Sequence, residues 1–234
     1  MVRQTGVRTI RIDGRAALLE RPRGARHLLV LAHGAGAGMR HAFMATLAAA
    51  LAERGIATLR WEFPYMAAGS KRVDRADVAE AAVRTAVAAA ARDLHVFAGG
   101  KSFGGRMTSQ AQAKAPLPRV AGLVFLGFPL HPAGRPSIER GDHLDAVSCP
   151  MLFVQGSRDD LADIALVDSL IARLGTRATL ALFDDADHAF HVRARSGSND
   201  AEVLERILDT TVMWIDRVAG AASSPQPLGG GSSP

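Results

Sequence analysis

The sequence is poor in cysteine, in aromatic residues and in long apolar runs, and each shortage closes off a class of function. Cys149 stands alone, so no internal disulfide can form. Placed before Pro150 at the head of an apolar run, it reads as a small buried residue and not as a nucleophile. Aromatic residues make up 5% of the chain, too few to build a surface on which bases stack. The basic residues are overwhelmingly arginines scattered singly, so the net charge of +5 describes solvated faces and not a nucleic-acid interface. No apolar run approaches the length of a membrane span, and Met1 to Asp13 carries arginines without an apolar core. Neither insertion nor export is signalled, and a cytoplasmic location is expected.

What is present suits one fairly large domain: 234 residues, 48% of them hydrophobic, enough for an ample core. The domain is expected over residues 1–219. Residues 220–234 are rich in Ser, Pro and Gly and are expected to form a disordered tail. No internal repeat is present.

Unbroken apolar stretches alternate with helical patterns along the chain. Val7 to Asp13 and Ala16 to Arg21 flank the turn-prone pair Asp13-Gly14, which predicts a hairpin. Strands are predicted at His27 to His33 and Val120 to Gly127, both buried, and at Ala57 to Trp61, Leu94 to Ala98, Pro150 to Gln155 and Ala178 to Phe183. Helices are predicted at His41 to Arg54, Asp74 to Arg92, Phe103 to Lys114, Leu161 to Leu174 and Asp200 to Val218, with Met66 to Val73 as a loop. Asp160 is expected to cap the fourth helix, with Asp163 as a first-turn acid. This alternation predicts an α/β protein of three layers, a mostly parallel twisted sheet with helices on both faces. Reactive groups then gather at the carboxyl ends of the strands. The stretch from Pro129 to Val147 is long enough for a small flap and too short for a sizeable lid domain.

The chain is organised around Gly99-Gly100-Lys101-Ser102-Phe103-Gly104-Gly105, a serine between a strand and a helix with small residues on either side. Reversal in so few residues forces the serine into a strained conformation at the positive end of the helix. Small residues at Gly100 and Gly104 let the two arms pass closely. Taken alone, the run is equally compatible with an ordinary glycine-rich turn. A phosphate loop ending in Gly100-Lys101-Ser102 fails on spacing, because its first glycine would fall at His95. A dinucleotide fingerprint at Gly34-Ala35-Gly36-Ala37-Gly38, with Glu62 as the ribose acid, fails because its last glycine position is Met39. The dense loop Asp184 to His191 has no second cluster with ligand spacing, so neither a metal nor a cofactor is expected. His191 is expected at the surface.

Three candidates each follow a predicted strand directly: Ser102, Asp159 and His188. Their order is that of a Ser-Asp-His hydrolytic triad. The backbone N–H of Phe103 and of Ala35 are candidates for an oxyanion site. His33, Gly34, Gly36, His41, Glu62, Tyr65 and Lys101 are candidates for the pocket wall. Lys101 is expected to point away from the mouth.

Over Val7 to Val218 the chain resembles the alpha/beta-hydrolase superfamily. More narrowly it resembles the small dienelactone-hydrolase-like group that includes testis-expressed hydrolase-like proteins and a chromatin-complex subunit. The narrower likeness rests on Ala32-His33-Gly34-Ala35-Gly36-Ala37, Arg60-Trp61-Glu62-Phe63-Pro64-Tyr65, Gly99 to Met107, and Asp187-His188-Ala189-Phe190. Dienelactone hydrolases use cysteine as nucleophile where Ser102 stands here, so their substrate is not carried over. The resemblance implies acyl transfer to water through a covalent serine ester, with a small-molecule acyl compound as partner. The same resemblance leaves open a hydrolase-fold module that binds or scaffolds without turnover.

Overall fold

The computed structural model describes residues 6–223. An eight-stranded sheet runs in the order β1-β2-β4-β3-β5-β6-β7-β8. Strands β1 (Val7–Ile12) and β2 (Arg15–Glu20) form an antiparallel hairpin, which joins β4 (Ile56–Trp61) in antiparallel fashion. From β4 onward the sheet is parallel, through β3 (His27–Ala32), β5 (His95–Lys101), β6 (Val120–Leu126), β7 (Met151–Gly156) and β8 (Ala178–Phe183).

The central strands read as continuous apolar runs because both of their faces are covered. In β3, Leu28, Val30 and Ala32 pack into one core while Leu29 and Leu31 pack into the other. Phe125 and Phe153 face the first core, and Phe97, Val124 and Leu152 face the second. This is the two-residue period of a strand. Each such Leu, Val or Phe side chain contributes roughly 1.5–3 kcal/mol by leaving water. Helices α3 (Ala76–Ala88), α4 (Phe103–Lys114) and α5 (Ile164–Leu174) supply Val83, Met107 and Val167 to the first core. Helices α1 (Ala42–Glu53) and α6 (Asp200–Ser223) supply Leu47, Leu51, Ile207 and Trp214 to the second. Among the described residues, no helix is long and apolar enough to cross a membrane.

Strand β3 is followed by β4 on one side of it, whereas β5, its neighbour on the other side, is followed by β6 farther out on that side, so the connections leaving β3 and β5 run in opposite directions. A crevice opens at the carboxyl ends of β3 and β5, the position at which such sheets bind ligands. Strand β5 runs farther than its apolar residues predict, through Gly99, Gly100 and Lys101. A Cβ on Gly99 would lie 1.8 Å from the Val124 carbonyl oxygen, and one on Gly100 would lie 2.2 Å from that of Ala32. Both glycines therefore serve the close approach of neighbouring strands.

Four further expectations are corrected. A short helix, α2 (Pro64–Ala67), takes in Met66 and Ala67 at the start of the expected loop Met66 to Val73, and its first position takes Pro64 because no N–H is needed there. Asp163, not Asp160, caps α5, accepting the Leu166 N–H at 3.2 Å. Helix α6 continues through Ser223, past the expected end at Val218 and into the stretch assigned to the tail. The rest of that stretch, 224–234, lies outside the described residues. Finally, Gly104 does not chiefly relieve the other arm of the elbow, since its Cβ would meet the Ala32 and His33 carbonyl oxygens at 2.6 Å. Gly105 is the residue that abuts the Gly100 carbonyl. The stretch between β6 and β7 holds only a 3₁₀ segment, Glu139–Ala146, resting on α4, and among the described residues no large lid covers the crevice.

Candidate active site

Ser102 joins β5 to α4 with φ 50° and ψ −115°. Such a conformation costs a non-glycine residue about 1–3 kcal/mol and persists only where the surroundings fix it. They do so here: the Ser102 N–H donates to the Leu126 carbonyl at 3.1 Å, and its carbonyl accepts the Arg106 N–H at 3.1 Å. The side chain stands clear of the sheet, with Oγ 2.9 Å from His188 Nε2. His188 Nδ1 lies 2.7 Å from Asp159 Oδ2.

Asp159 has no exposed side-chain surface. Its Oδ1 accepts the Leu161 N–H at 2.8 Å, and its Oδ2 accepts the Gln155 side-chain amide at 2.5 Å. Gln155 is itself oriented by accepting the Phe128 N–H at 2.9 Å. An ionised carboxylate in this setting places the imidazole proton on Nδ1, leaving the Nε2 lone pair free to accept from the Ser102 hydroxyl. The structure thus brings Ser102, His188 and Asp159 together from the ends of three different strands.

The loops after β7 and β8 are stitched to one another. A Cβ on Gly156 would fall 2.3 Å from the Ala186 carbonyl oxygen, so the chains can approach this closely only with glycine there. The Arg158 N–H donates to that same carbonyl at 2.9 Å, and Ser157 Oγ accepts the Asp185 N–H at 2.9 Å. Asp187 accepts the N–H groups of Ala189 and His191, closing a tight turn in which Phe190 holds φ 66°. His191 lies outside it, its ring exposed and paired with Asp200.

The loop after β3 is held from beneath. His33 is fully buried, its Nε2 accepting the Phe63 N–H at 3.2 Å. Its proton is therefore on Nδ1, which donates to the Gly34 carbonyl at 2.7 Å. Burial pushes the His33 pKa down, in keeping with a neutral ring. The Tyr65 hydroxyl donates to the Ala35 carbonyl at 2.9 Å, and burial raises its pKa to about 12, so it remains a donor. No cis peptide occurs among the described residues. With the Gly34 carbonyl drawn inward, the Ala35 N–H of the same trans peptide faces the opposite way. Phe103 opens α4, and its N–H is one of the helix's first, which have no acceptor within the helix.

A cavity of about 370 Å³ lies over Ser102 and His188. Of the wall residues expected from sequence, Gly34, Gly36, His41 and Lys101 line it. His33 and Tyr65 do not; they support the loop from the core. Glu62 is likewise a support, its Oε1 accepting the Met39 N–H at 3.3 Å. Lys101 corrects its expectation, since it points inward and donates to the His188 carbonyl. Phe43, Met44, Leu161 and Ala189 complete an apolar wall that sequence reading missed. Phe43 and Met44 lie in the first turn of α1, the helix entered from the glycine-rich loop, and that position was the available signal. Gln155, the second partner of Asp159, carried no such signal.

Residues 25–216 match a family described as an alpha/beta hydrolase domain. Among solved structures, the chain is similar to a dienelactone hydrolase from Anabaena variabilis, with 22% identity, a TM-score of 0.70, and 92% of this chain and 97% of that one covered. It is also similar to Est1E from Butyrivibrio proteoclasticus, whose structure holds ferulic acid, at 16% identity, a TM-score of 0.70 and coverage of 91% and 99%. An alpha-beta serine hydrolase homologue from Coxiella burnetii matches at 19% identity, a TM-score of 0.66 and coverage of 92% and 99%. At these identities the likeness is one of fold.

Proposed function

The chain belongs to the alpha/beta hydrolase family, and from that premise we propose that it is a serine hydrolase cleaving small carboxylic esters through a covalent acyl-enzyme. The observation that carries this reading is the unbroken hydrogen-bond path from Ser102 Oγ through His188 to Asp159. A buried carboxylate and an imidazole of fixed tautomer turn a weakly nucleophilic hydroxyl into an attacking group.

Ser102 Oγ attacks the acyl carbon while His188 Nε2 takes its proton. Asp159 keeps its charge and stabilises the imidazolium. The N–H groups of Phe103 and Ala35 receive the developing oxyanion, each such donor typically lowering the barrier by about 3–4 kcal/mol. His188 then gives its proton to the leaving alkoxide, the acyl group remains on Ser102, and a water deprotonated by the same imidazole releases the acid. Thioesters and lactones pass through the same steps.

The apolar wall of Ala35, Phe43, Met44, Leu161 and Ala189 suits a compact, uncharged acyl group. A series of p-nitrophenyl esters tests the reading. Acetate and butyrate esters are expected to turn over faster than decanoate or longer, with Ser102→Ala removing all turnover above background. Faster hydrolysis of the long esters would overturn the size assignment, and full activity in Ser102→Ala would overturn the mechanism.

A further inference from the structure

Lys101, the residue before Ser102, is part-buried with its ammonium turned into the site, and the ester-cleaving steps make no use of it. Its stem passes Gly34, where a Cβ would lie 3.7 Å from Lys101 Cγ. Its ammonium comes to rest against Gly127, where a Cβ would stand 2.9 Å from Nζ and 3.4 Å from both Cε1 and Nδ1 of His188. Two glycines on two different strand ends thus form the channel through which this side chain reaches the underside of the imidazole. At its end Nζ donates to the backbone carbonyl of His188 and stands 5.3 Å from the centre of the Phe190 ring.

This arrangement ties the loop carrying His188 to the residue adjoining Ser102. Among the described residues, the other hydrogen bond between this loop and the β5–α4 junction is the one joining the imidazole Nε2 and Ser102 Oγ. The loop also holds Asp185 and Phe190 at positive φ, a state that persists only where neighbours over-determine it. We infer that Lys101 is a positioning residue: it clamps the backbone of His188 to the nucleophile's own strand end, so that Nε2 stays aimed at Ser102 Oγ. The inference rests on the serine-hydrolase reading above.

The charge of the clamp is conditional. Burial pushes the Lys101 ammonium down to about 8, the carboxylates of Asp159 and Asp187 opposing the shift. The groups facing it are Asp159 from the loop after β7, and Asp187, the His188 ring and Phe190 from the loop after β8. Below pH 8 the ammonium makes a charge-assisted hydrogen bond to the His188 carbonyl. Above pH 8 the neutral amine donates a weaker one.

The test measures the second-order rate at which a fluorophosphonate phosphonylates Ser102, from pH 6 to 9.5, in wild type, Lys101→Met and Lys101→Gln. Met keeps the stem and loses the donor; Gln keeps a shorter donor, and running both guards against misfolding of either. The expected ratio of wild type to Lys101→Met is about 10-fold or more at pH 6.5 and falls several-fold above pH 8, with the Gln variant between them. With p-nitrophenyl acetate the loss should appear in kcat and leave KM within about two-fold. A ratio near one, a ratio unchanged across pH 8, or a loss confined to KM for substrates bearing a carboxylate would overturn the clamp. The last outcome would make Lys101 a substrate contact. If wild type itself is not labelled at Ser102, the serine-hydrolase reading fails instead.

Discussion

Both ends of the parallel sheet carry a histidine against an aspartate, and the two pairs have little else in common. At the amino end, His27 opens β3 with Nε2 3.1 Å from Asp216 Oδ1. Asp216 is half exposed, His27 Nδ1 is buried without a partner, and the neighbouring ring is another histidine, His95, 5.5 Å away. Burial pushes the His27 pKa down. At the carboxyl end the acid, Asp159, is sealed from water and held by two further donors, and the far nitrogen of His188 meets a hydroxyl. A His-Asp contact is thus not in itself a base. It becomes one when the acid is sequestered, the tautomer is fixed and the free lone pair has a proton to take. Backbone strain divides the same way: of the five non-glycine residues at positive φ among those described, only Arg119 lies away from the carboxyl end of the sheet, Asp13 sitting in the hairpin turn on that edge and Ser102, Asp185 and Phe190 in the loops around the site.

The sharpest way to break this contrast is to remove each histidine in turn. His188→Ala is expected to lower kcat by about 10⁴-fold or more. His27→Gln should leave kcat within two-fold and show itself in the thermal midpoint. Equal losses at both positions, measured by ester turnover, would erase the distinction. Next in size is His33, which touches no substrate and acts through the Gly34 carbonyl. His33→Ala frees the Ala35 peptide to turn, and a loss of about 10²-fold in kcat is expected, the usual cost of one oxyanion donor. KM should hardly move.

Glycines give a third test, read in unfolding free energy. Gly104→Ala forces a Cβ against two carbonyl oxygens at 2.6 Å and should cost about 1–3 kcal/mol. Gly55, ahead of β4 at the amino end, has φ +83° and open space around it, so alanine there meets only the conformational penalty of about 1 kcal/mol. Urea titration of the two variants orders them.

The smallest effect concerns acid. His143 is held by the Ser109 hydroxyl at 2.7 Å, and burial pushes its pKa from 6.5 down to about 4. Between those values the unfolded chain binds the proton and the folded one does not. The neutral ring's contribution is therefore complete above about pH 6.5 and lost progressively toward pH 4. His143→Gln should flatten the fall in stability over that window, seen in denaturant midpoints at pH 4.5 and 7. A fall of equal size in both proteins would refute the assignment.

Much of this was legible in the chain itself. Strands β5 and β7, which lead to Ser102 and Asp159, are apolar runs covered on both faces, and the half-exposed edge strand β8, which leads to His188, is still apolar enough to be seen, so their ends, and the order of the three residues, could be read along the sequence. The supports could not. His33 and Tyr65 looked like wall residues because the glycine loop near them is the visible feature. Only the packing of Phe63 and α2 beneath that loop turns them into its props. Lys101 looked exposed because a lysine beside a tight turn usually is. The channel that admits it is made by Gly34 and Gly127, from two strands far apart in sequence. Asp160 and Asp163 both fit a cap by type, and the geometry of the turn after Asp159 chose the later one.

The central claim is that a hydroxyl at the β5–α4 junction carries the acyl group. Rapid mixing with p-nitrophenyl acetate, acid quenching within the first turnover and mass analysis of the intact chain and its peptides test it most directly. The account predicts one acetyl group per chain, on the peptide containing Ser102, absent in Ser102→Ala and strongly delayed in His188→Ala. An acetyl group on another residue in step with turnover, or undiminished turnover in Ser102→Ala, would contradict it.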